Sequence, residues 1–435
     1  MWLNGFGKEG DKVEQQSLNA AFLENLFAHA VQAVHPAACL AAHLPTKAIA
    51  GRTIILAAGK AAASMAQVAA ATLNGPVEGL VVTRHGHALD GLPQTFEVIE
   101  AGHPVPDEMS LAAAPKMLAL AESATDGDRV IALISGGASS LLAAPVDEIT
   151  FAQKQQVTKF LLRSGAPIAE INCVRKHLSK IKGGRLARAV MPASLYSFII
   201  SDVPGDFKGD VASGPTEPDA SSMRDAEDIL RKYHWNGDGA IVAALRNQTN
   251  ESLFPGDAAF EKCHTEVIAK ASDALVAAAD MARQKGWQPV VLGDDLEGSA
   301  HKLGAEHARL ALEYRSKGGQ WALISGGETT VEVRNHRGRG GRNLEYLTGL
   351  AIALKGAEGI SALACDTDGI DGTEDVAGAI LGSDFIRLCQ SEGISAENYL
   401  TDNNTYELFR RIGGLVKTGP TLTNVNDFRV ILVEG

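Results

Sequence analysis

Ala132-Leu133-Ile134-Ser135-Gly136-Gly137 recurs, residue for residue, as Ala322-Leu323-Ile324-Ser325-Gly326-Gly327. Each copy is an apolar run closed by a serine and two glycines, which predicts a buried parallel strand running into a tight turn. Val130-Ile131 precede the first copy, and Ser139-Ser140-Leu141-Leu142 follow it. Trp321 precedes the second, and Glu328-Thr329-Thr330 follow it. Such a turn is either a plain strand exit or a place where backbone N–H groups face an anion at the carboxyl end of a sheet. Two copies in one glycine-rich chain favour the ligand reading, with two α/β units each lending one rim to a shared cleft.

Working outward, residues 53–57, 79–83, 95–100, 129–134 and 194–201 read as strands. Between them, 60–73, 110–121, 151–164 and the basic stretch 172–190 read as helices. A loose tail over 1–16 and one or two helices over 17–43 come first. This alternation predicts a doubly wound, Rossmann-like parallel sheet. The polar stretch 219–257, with Gly237-Asp238-Gly239 and Pro255-Gly256-Asp257, marks the domain junction. The expected domains are therefore 1–238 and 239–435, the second with strands at 263–268, 289–292, 320–324, 360–365 and 428–433 and helices at 273–285 and 300–316.

The 435 residues give room for two domains with full cores. A net charge of −12 argues against a non-specific nucleic-acid binder. The five cysteines are scattered with no CxxC pair, which suits a reducing compartment and offers no zinc site. No apolar leader and no run of about 18 apolar residues is present, so neither export nor membrane insertion is expected, and the cytoplasm is the expected compartment. The helix faces leave a homodimer open.

The first strand ends in Ala57-Ala58-Gly59-Lys60, which is neither a dinucleotide fingerprint nor a P-loop, since position 54 is Ile where a P-loop needs glycine. Lys60 nevertheless follows a strand and opens a helix, where free N–H groups already favour an anion. It either stands in solvent or meets something negative. Asp202, at the end of the strand 194–201, lies where a ligand crevice is expected and can hold Mg²⁺ or accept a hydroxyl proton. Asp206 is as well explained by turn chemistry. Gly338-Arg339-Gly340-Gly341-Arg342-Asn343 offers close backbone approach and a bidentate clamp at Arg342, with Arg337 and Arg339 as solvated flanks.

Asp366-Thr367-Asp368-Gly369-Ile370-Asp371-Gly372 carries three carboxylates, a set suited to a hard cation. An EF-hand is excluded because Ala377 stands where its last ligand is required. The loop 419–427 supplies hydroxyl and amide groups for phosphate or sugar oxygens, or merely connects. His85 and His87 read as structural. The basic helix with Arg175, Lys176, His177, Lys180, Lys182, Arg185 and Arg188 is either a solvated face or one turned to an acidic substrate.

Taken in order, several stretches resemble the glycerate 2-kinase family, whose C-terminal half is called the MOFRL domain. They are Gly59-Lys60-Ala61-Ala62, Val82-Thr83-Arg84 with Gly86-His87, and the run from Glu100 to Asp107. Ser135-Gly136-Gly137, Ser213-Gly214-Pro215-Thr216 and Ser325-Gly326-Gly327-Glu328-Thr329-Thr330 follow. Gly340-Gly341-Arg342-Asn343, Asp368-Gly369, Asp371-Gly372 and Gly419-Pro420-Thr421 complete the set, which spans about residues 17–430.

The resemblance implies two dissimilar three-layer α/β/α domains with the active site between them, and ATP- and Mg²⁺-dependent phosphorylation of D-glycerate at its 2-hydroxyl. It implies Lys60 and Arg342 as the cations at the transferred phosphoryl group and Asp202 and Asp368 as the functional acids, one orienting or deprotonating the hydroxyl and the other holding Mg²⁺. Ser135, Gly136, Gly137, Ser325, Gly326, Gly327, Glu328, Gly340, Gly341 and Asn424 are the implied binding positions. Two departures bear on substrate range: Leu344 where the family has Gln, and the stretch Thr373-Glu374-Asp375-Val376. Relatives also named hydroxypyruvate reductase make an NAD(P)H-dependent oxidoreductase the nearest alternative, and a non-catalytic sugar-acid or nucleotide sensor the third.

Overall fold

The computed structural model describes residues 6–435, with side chains from Leu18 onward. By its internal contacts the chain divides into two units, one of them Pro36–Ala269 and the other the chain up to His35 together with Lys270–Gly435.

Within Pro36–Ala269, six strands form one sheet: β1 (Thr53–Ala58), β2 (Val77–Arg84), β3 (Phe96–Ala101), β4 (Arg129–Ser135), β5 (Ser194–Ile200) and β6 (Cys263–Ala269). Their order is β3-β2-β1-β4-β5-β6 and every pairing is parallel. This is the doubly wound order, and its direction reverses between β1 and β4. Both central strands are buried at every residue, which is why they read as unbroken apolar runs. Ile54, Leu56, Val130, Ala132 and Ile134 join Ala113, Met117, Leu186 and Val190 from covering helices in one core. A second apolar cluster, including Val157, Leu161, Val174, Leu230 and Ile241, is built by the helices Phe151–Arg163, Ile168–His177, Met223–Lys232 and Gly239–Ala244.

The other unit has a mixed sheet of β7 (Gln288–Gly293), β9 (Gln320–Ser325), β11 (Ile360–Asp366), β12 (Gly378–Leu381), β13 (Leu415–Val416) and β14 (Asp427–Glu434), with the short parallel pair β8 (Gly298–Ser299) and β10 (Thr329–Thr330) apart from it. Its order is β13-β12-β11-β14-β9-β7, and only β7 and β9 run parallel. On one face Ala362, Ala364, Ile431 and Val433 pack with Leu347 and Leu350 of the helix Arg342–Leu354 and Ala308 of the helix Ala300–Ser316. On the other, Phe27 meets Phe428 and Phe22 stacks on Trp287, both at 6.0 Å between ring centres. One unit carries an all-parallel sheet and the other a mixed one, so the two are α/β and unlike each other, as expected.

Three expectations change. Residues 6–16 belong to the helix Phe6–Ala33 rather than to a loose tail, and residues 1–5 lie outside the described residues. The stretch 172–190 is two helices, Ile168–His177 and Arg185–Val190, separated at Gly183 and Gly184, both with positive φ. The division falls after Ala269 and not at 238/239, because β6 pairs with β5 and so keeps residues 239–269 with the first sheet. A strand's own sequence does not say which sheet it joins.

Candidate functional site

In the parallel-sheet unit, the turns leaving β1 and β4 meet at the reversal point. Lys60 N–H donates to Gly136 O at 2.9 Å, Ala61 N–H donates to Ser135 Oγ at 3.0 Å, and Thr83 Oγ1 donates to Gly59 O at 3.1 Å. Ser135 is wholly buried, so its hydroxyl joins the two turns instead of opening to solvent. Gly137 has φ +84° and caps the short helix Ala138–Leu141. A Cβ there would sit 3.0 Å from the His103 ring and 3.3 Å from Lys60 Cγ, so Lys60 and His103 pack over this turn. Lys60 is buried rather than solvated, and it precedes the helix Ala62–Thr72 instead of lying in its first turn. Asp202, partly buried, follows β5, the neighbour of β4.

The basic helix is not a solvated face. Lys176, His177 and Lys182 are buried, whereas Lys180 and Arg188 are exposed. Lys176 lies 3.5 Å from Asp219, and His177 Nε2 is 2.9 Å from Glu251. Arg185 donates to the carbonyls of Lys176, Lys182 and Asn250. His85 Nε2 is 2.9 Å from Asp107, in keeping with a structural pair.

In the mixed-sheet unit the helix Arg342–Leu354 delivers Arg342 at its first position, and each nitrogen type of the guanidinium finds a different carboxylate. Nε donates to Asp427 at 2.7 Å, Nη1 to Glu328 at 2.7 Å and Nη2 to Asp366 at 2.8 Å. Burial alone would lower the pKa of Arg342, but Asp427, Asp366 and Glu328 outweigh it and hold the pKa well above its ordinary value. Asp427 also accepts from Asn343 Nδ2 at 2.8 Å and from Arg429, whose Nη1 donates to Gly326 O at 2.7 Å.

Asp371 secures the start of this helix, accepting from Asn343 N at 3.0 Å and Leu344 N at 3.1 Å. Burial raises its pKa to about 6 against the lowering pull of those backbone donors. Gly341 is needed for this cap, since a Cβ on it would lie 2.3 Å from the Asp371 carboxyl carbon. The missing side chain at Gly341 thus makes room for a protein carboxylate. Gly340 likewise makes room for Thr405 and Gly327 for Leu296.

Asp368 is buried; its Oδ1 accepts from Ile370 N at 2.8 Å and its N–H donates to Asp366 Oδ1 at 3.0 Å. Asn424 and Ser325 are buried nearby in sequence to this cage, Asn424 in the loop before β14 and Ser325 at the end of β9. Leu344, the departure after Asn343, is fully buried in the helix–sheet core, which explains an apolar residue there. Arg339 is not a bare flank: it pairs with Glu374 and lies 4.2 Å from the centre of the Tyr406 ring.

Within each unit, then, Lys60 joins the 135–137 turn, and Arg342 joins Glu328 and the 366–368 loop. Asp371, one of the three acids whose spacing suggests a cation set, instead caps the helix that carries Arg342; Asp427, one acid in a polar loop, gives no sign in the sequence that it meets Arg342. Among the described residues no three His, Cys, Asp or Glu side chains assemble as a metal site. No helix among them is long and apolar enough to cross a membrane.

Residues 22–246 match the model of a domain of unknown function, DUF4147, and residues 321–427 match that of the MOFRL family. A D-glycerate 2-kinase of Thermotoga maritima is 37% identical over 408 residues, 93% of this chain and 95% of that protein. A glycerate 2-kinase of Pyrococcus horikoshii is 37% identical over 400 residues, 88% of either chain. A protein of Agrobacterium vitis, provisionally named hydroxypyruvate reductase, is 46% identical over 417 residues, 94% of either chain. Among solved structures, a glycerate kinase from Thermotoga maritima superposes with a TM-score of 0.85 at 35% identity, covering 97% of this chain and 99% of that one.

Proposed function

The chain belongs to the glycerate 2-kinase family and is a glycerate-phosphorylating enzyme; we propose that it moves the γ-phosphoryl group of ATP to the 2-hydroxyl of D-glycerate, giving 2-phospho-D-glycerate and ADP in the cytoplasm. The observation that carries the reading is the position of Lys60, a cation buried at the reversal point of a doubly wound sheet beside a Ser-Gly-Gly turn. Phosphoryl transfer asks for positioning and charge neutralisation more than for covalent chemistry.

In the proposed step the glycerate 2-oxygen bonds to the γ-phosphorus as the bond to the β,γ-bridging oxygen of ATP breaks. Lys60 and Arg342 meet the charge on the phosphoryl oxygens. One carboxylate of the pair Asp202 and Asp368 orients the hydroxyl and takes its proton, and the other serves the metal. Mg²⁺, held mostly by substrate phosphates, asks for only one or two carboxylates, and the all-oxygen donors Asp202 and Asp368 fit it. When bound it supplies further neutralisation of phosphate charge. Gly136, Gly137, Gly326 and Gly327 lie at the strand ends where substrate oxygens are expected, with Glu328 and Asn424 as polar neighbours.

A hydroxypyruvate reductase would need a dinucleotide turn, yet the fingerprint that would start at Gly59 has Ala61 and Ser64 in place of its next two glycines. Phosphorus and proton NMR of the protein with ATP, Mg²⁺ and D-glycerate tests the proposal. Formation of 2-phosphoglycerate supports it, and 3-phosphoglycerate overturns the regiochemistry. No phosphorylated product, with NADH or NADPH oxidised by hydroxypyruvate, establishes the reductase instead.

A further inference from the structure

Beside the turn that carries Lys60 lies a group of cations that the transfer step does not use. Lys154, Arg175 and Lys182 have no carboxylate within ion-pair distance among the described residues, although their neighbours Lys176 and His177 do. Lys154 and Lys182 are 8% and 3% exposed, too deep for water to neutralise them fully. Burial, and then Arg175 and the other nearby cations, push both lysines well below the ordinary lysine range.

Two of these cations and a second serine converge on Ser139. Arg175 Nη2 donates to Ser139 Oγ, Lys182 Nζ lies 3.1 Å from the same oxygen and 2.9 Å from Ser139 O, and Ser213 Oγ is 3.0 Å from it. Ser139 and Arg175 are only partly buried, whereas Lys182 and Ser213 behind them are buried. The arrangement is a pair of cations backed by buried groups, with a guanidinium and a hydroxyl on its more exposed side. Ser139 is two residues from Gly137, over which Lys60 packs, so its backbone lies within about 7 Å of that turn.

We infer that Arg175 and Ser139, backed by Lys182, bind the carboxylate of the hydroxy-acid substrate and so fix which hydroxyl is presented for phosphorylation. The inference rests on the kinase reading for the identity of the acid. A planar guanidinium with an adjacent hydroxyl suits a planar carboxylate, and a 2-hydroxyl lies one carbon from it, so a carboxylate held at Ser139 keeps that hydroxyl on the side of the neighbouring Lys60 turn.

The test combines calorimetric titration with D-glycerate, glycerol and inorganic phosphate, and steady-state kinetics, on the wild type, Arg175→Gln, Arg175→Lys and Ser139→Ala. Circular dichroism checks the fold of each variant. The expected result is a KM for glycerate raised on the order of 100-fold in Arg175→Gln, with partial rescue in Arg175→Lys and the KM for ATP unchanged. Glycerol should not bind measurably. An unchanged glycerate KM in folded Arg175→Gln overturns the inference and leaves the kinase intact. Phosphate binding more tightly than glycerate, and lost in the variant, overturns the carboxylate assignment. If the wild type binds glycerate through Arg175 but transfers no phosphoryl group, the kinase reading fails and the anion site stands. Should Arg175→Gln not fold, Ser139→Ala decides by the same KM readout.

Discussion

Arg342 donates through Nε to Asp427, a carboxylate with no solvent exposure, across 2.7 Å. The same guanidinium reaches Asp366 and Glu328, so its orientation is fixed before any substrate arrives. Arg342→Ala therefore removes the charge proposed to meet the phosphoryl group and also leaves two buried carboxylates short of a partner. Arg429 remains on Asp427 and covers part of that loss. Stability should fall by about 2–4 kcal/mol and kcat by roughly 1000-fold. Arg342→Lys should regain part of the stability but little of the turnover, since an ammonium cannot reproduce three divergent hydrogen bonds. Urea denaturation alongside kinetics measures both, and a wild-type midpoint in Arg342→Ala would show that the carboxylate cage needs no arginine.

Lys60→Ala should behave differently. The sheet around Lys60 is held by backbone and Ser135 hydrogen bonds that the substitution leaves in place. A drop in kcat of at least about 100-fold is expected, with a much smaller change in denaturation midpoint than in Arg342→Ala. Near-normal turnover removes Lys60 from the mechanism.

These contrasts show what the sequence could reveal. The strands around Ile54–Ala58 and Arg129–Ser135 were legible because full burial leaves an unbroken apolar run. The helix Arg342–Leu354 was not, because its two buried faces blur the 3.6-residue period. The short strand β12 at Gly378–Leu381 lacks the length to announce itself, and β6 gave no sign of its partner. Lys60 and Arg342 stood out through their neighbours in the chain. Asp371 and Asp427 act on Arg342 from 29 and 85 positions away, a relationship that only folding makes visible. The burial of Lys182, between the helices Ile168–His177 and Arg185–Val190, was equally hidden, since a basic stretch reads as well for a solvated face as for one turned inward.

Gly341→Ala tests the Asp371 cap. The added methyl would lie 2.3–2.5 Å from the Asp371 carboxylate, which is fixed by two backbone donors and cannot withdraw freely. A loss of about 1–3 kcal/mol is expected, together with reduced kcat because the first turn carrying Arg342 must shift. Gly239→Ala is the matched control. It meets open space at the start of the helix Gly239–Ala244, so its stability should stay within about 0.5 kcal/mol of wild type. Equal thermal midpoints for the two variants would refute the close approach at Gly341.

His307 gives the fold a dependence on pH that is separate from the chemistry. It is buried, with Nδ1 2.7 Å from Tyr346 Oη, and burial, then the charge of Arg429, lowers its pKa to about 4. In the unfolded chain the ring titrates near its ordinary value of 6.5. Between these values the unfolded state binds more protons than the folded one, so stability rises with pH across that window. The contribution is fully present above about pH 6.5 and is lost as pH falls towards 4, amounting to on the order of 3 kcal/mol at most. Urea denaturation at pH 7.5 and 5.0, compared between wild type and His307→Gln, isolates it. Glutamine keeps a polar group near Tyr346 but takes up no proton in this range, so the variant should show a smaller fall in midpoint between the two pH values. An equal fall in both proteins would mean that His307 does not bury its neutral form at a cost to acid stability.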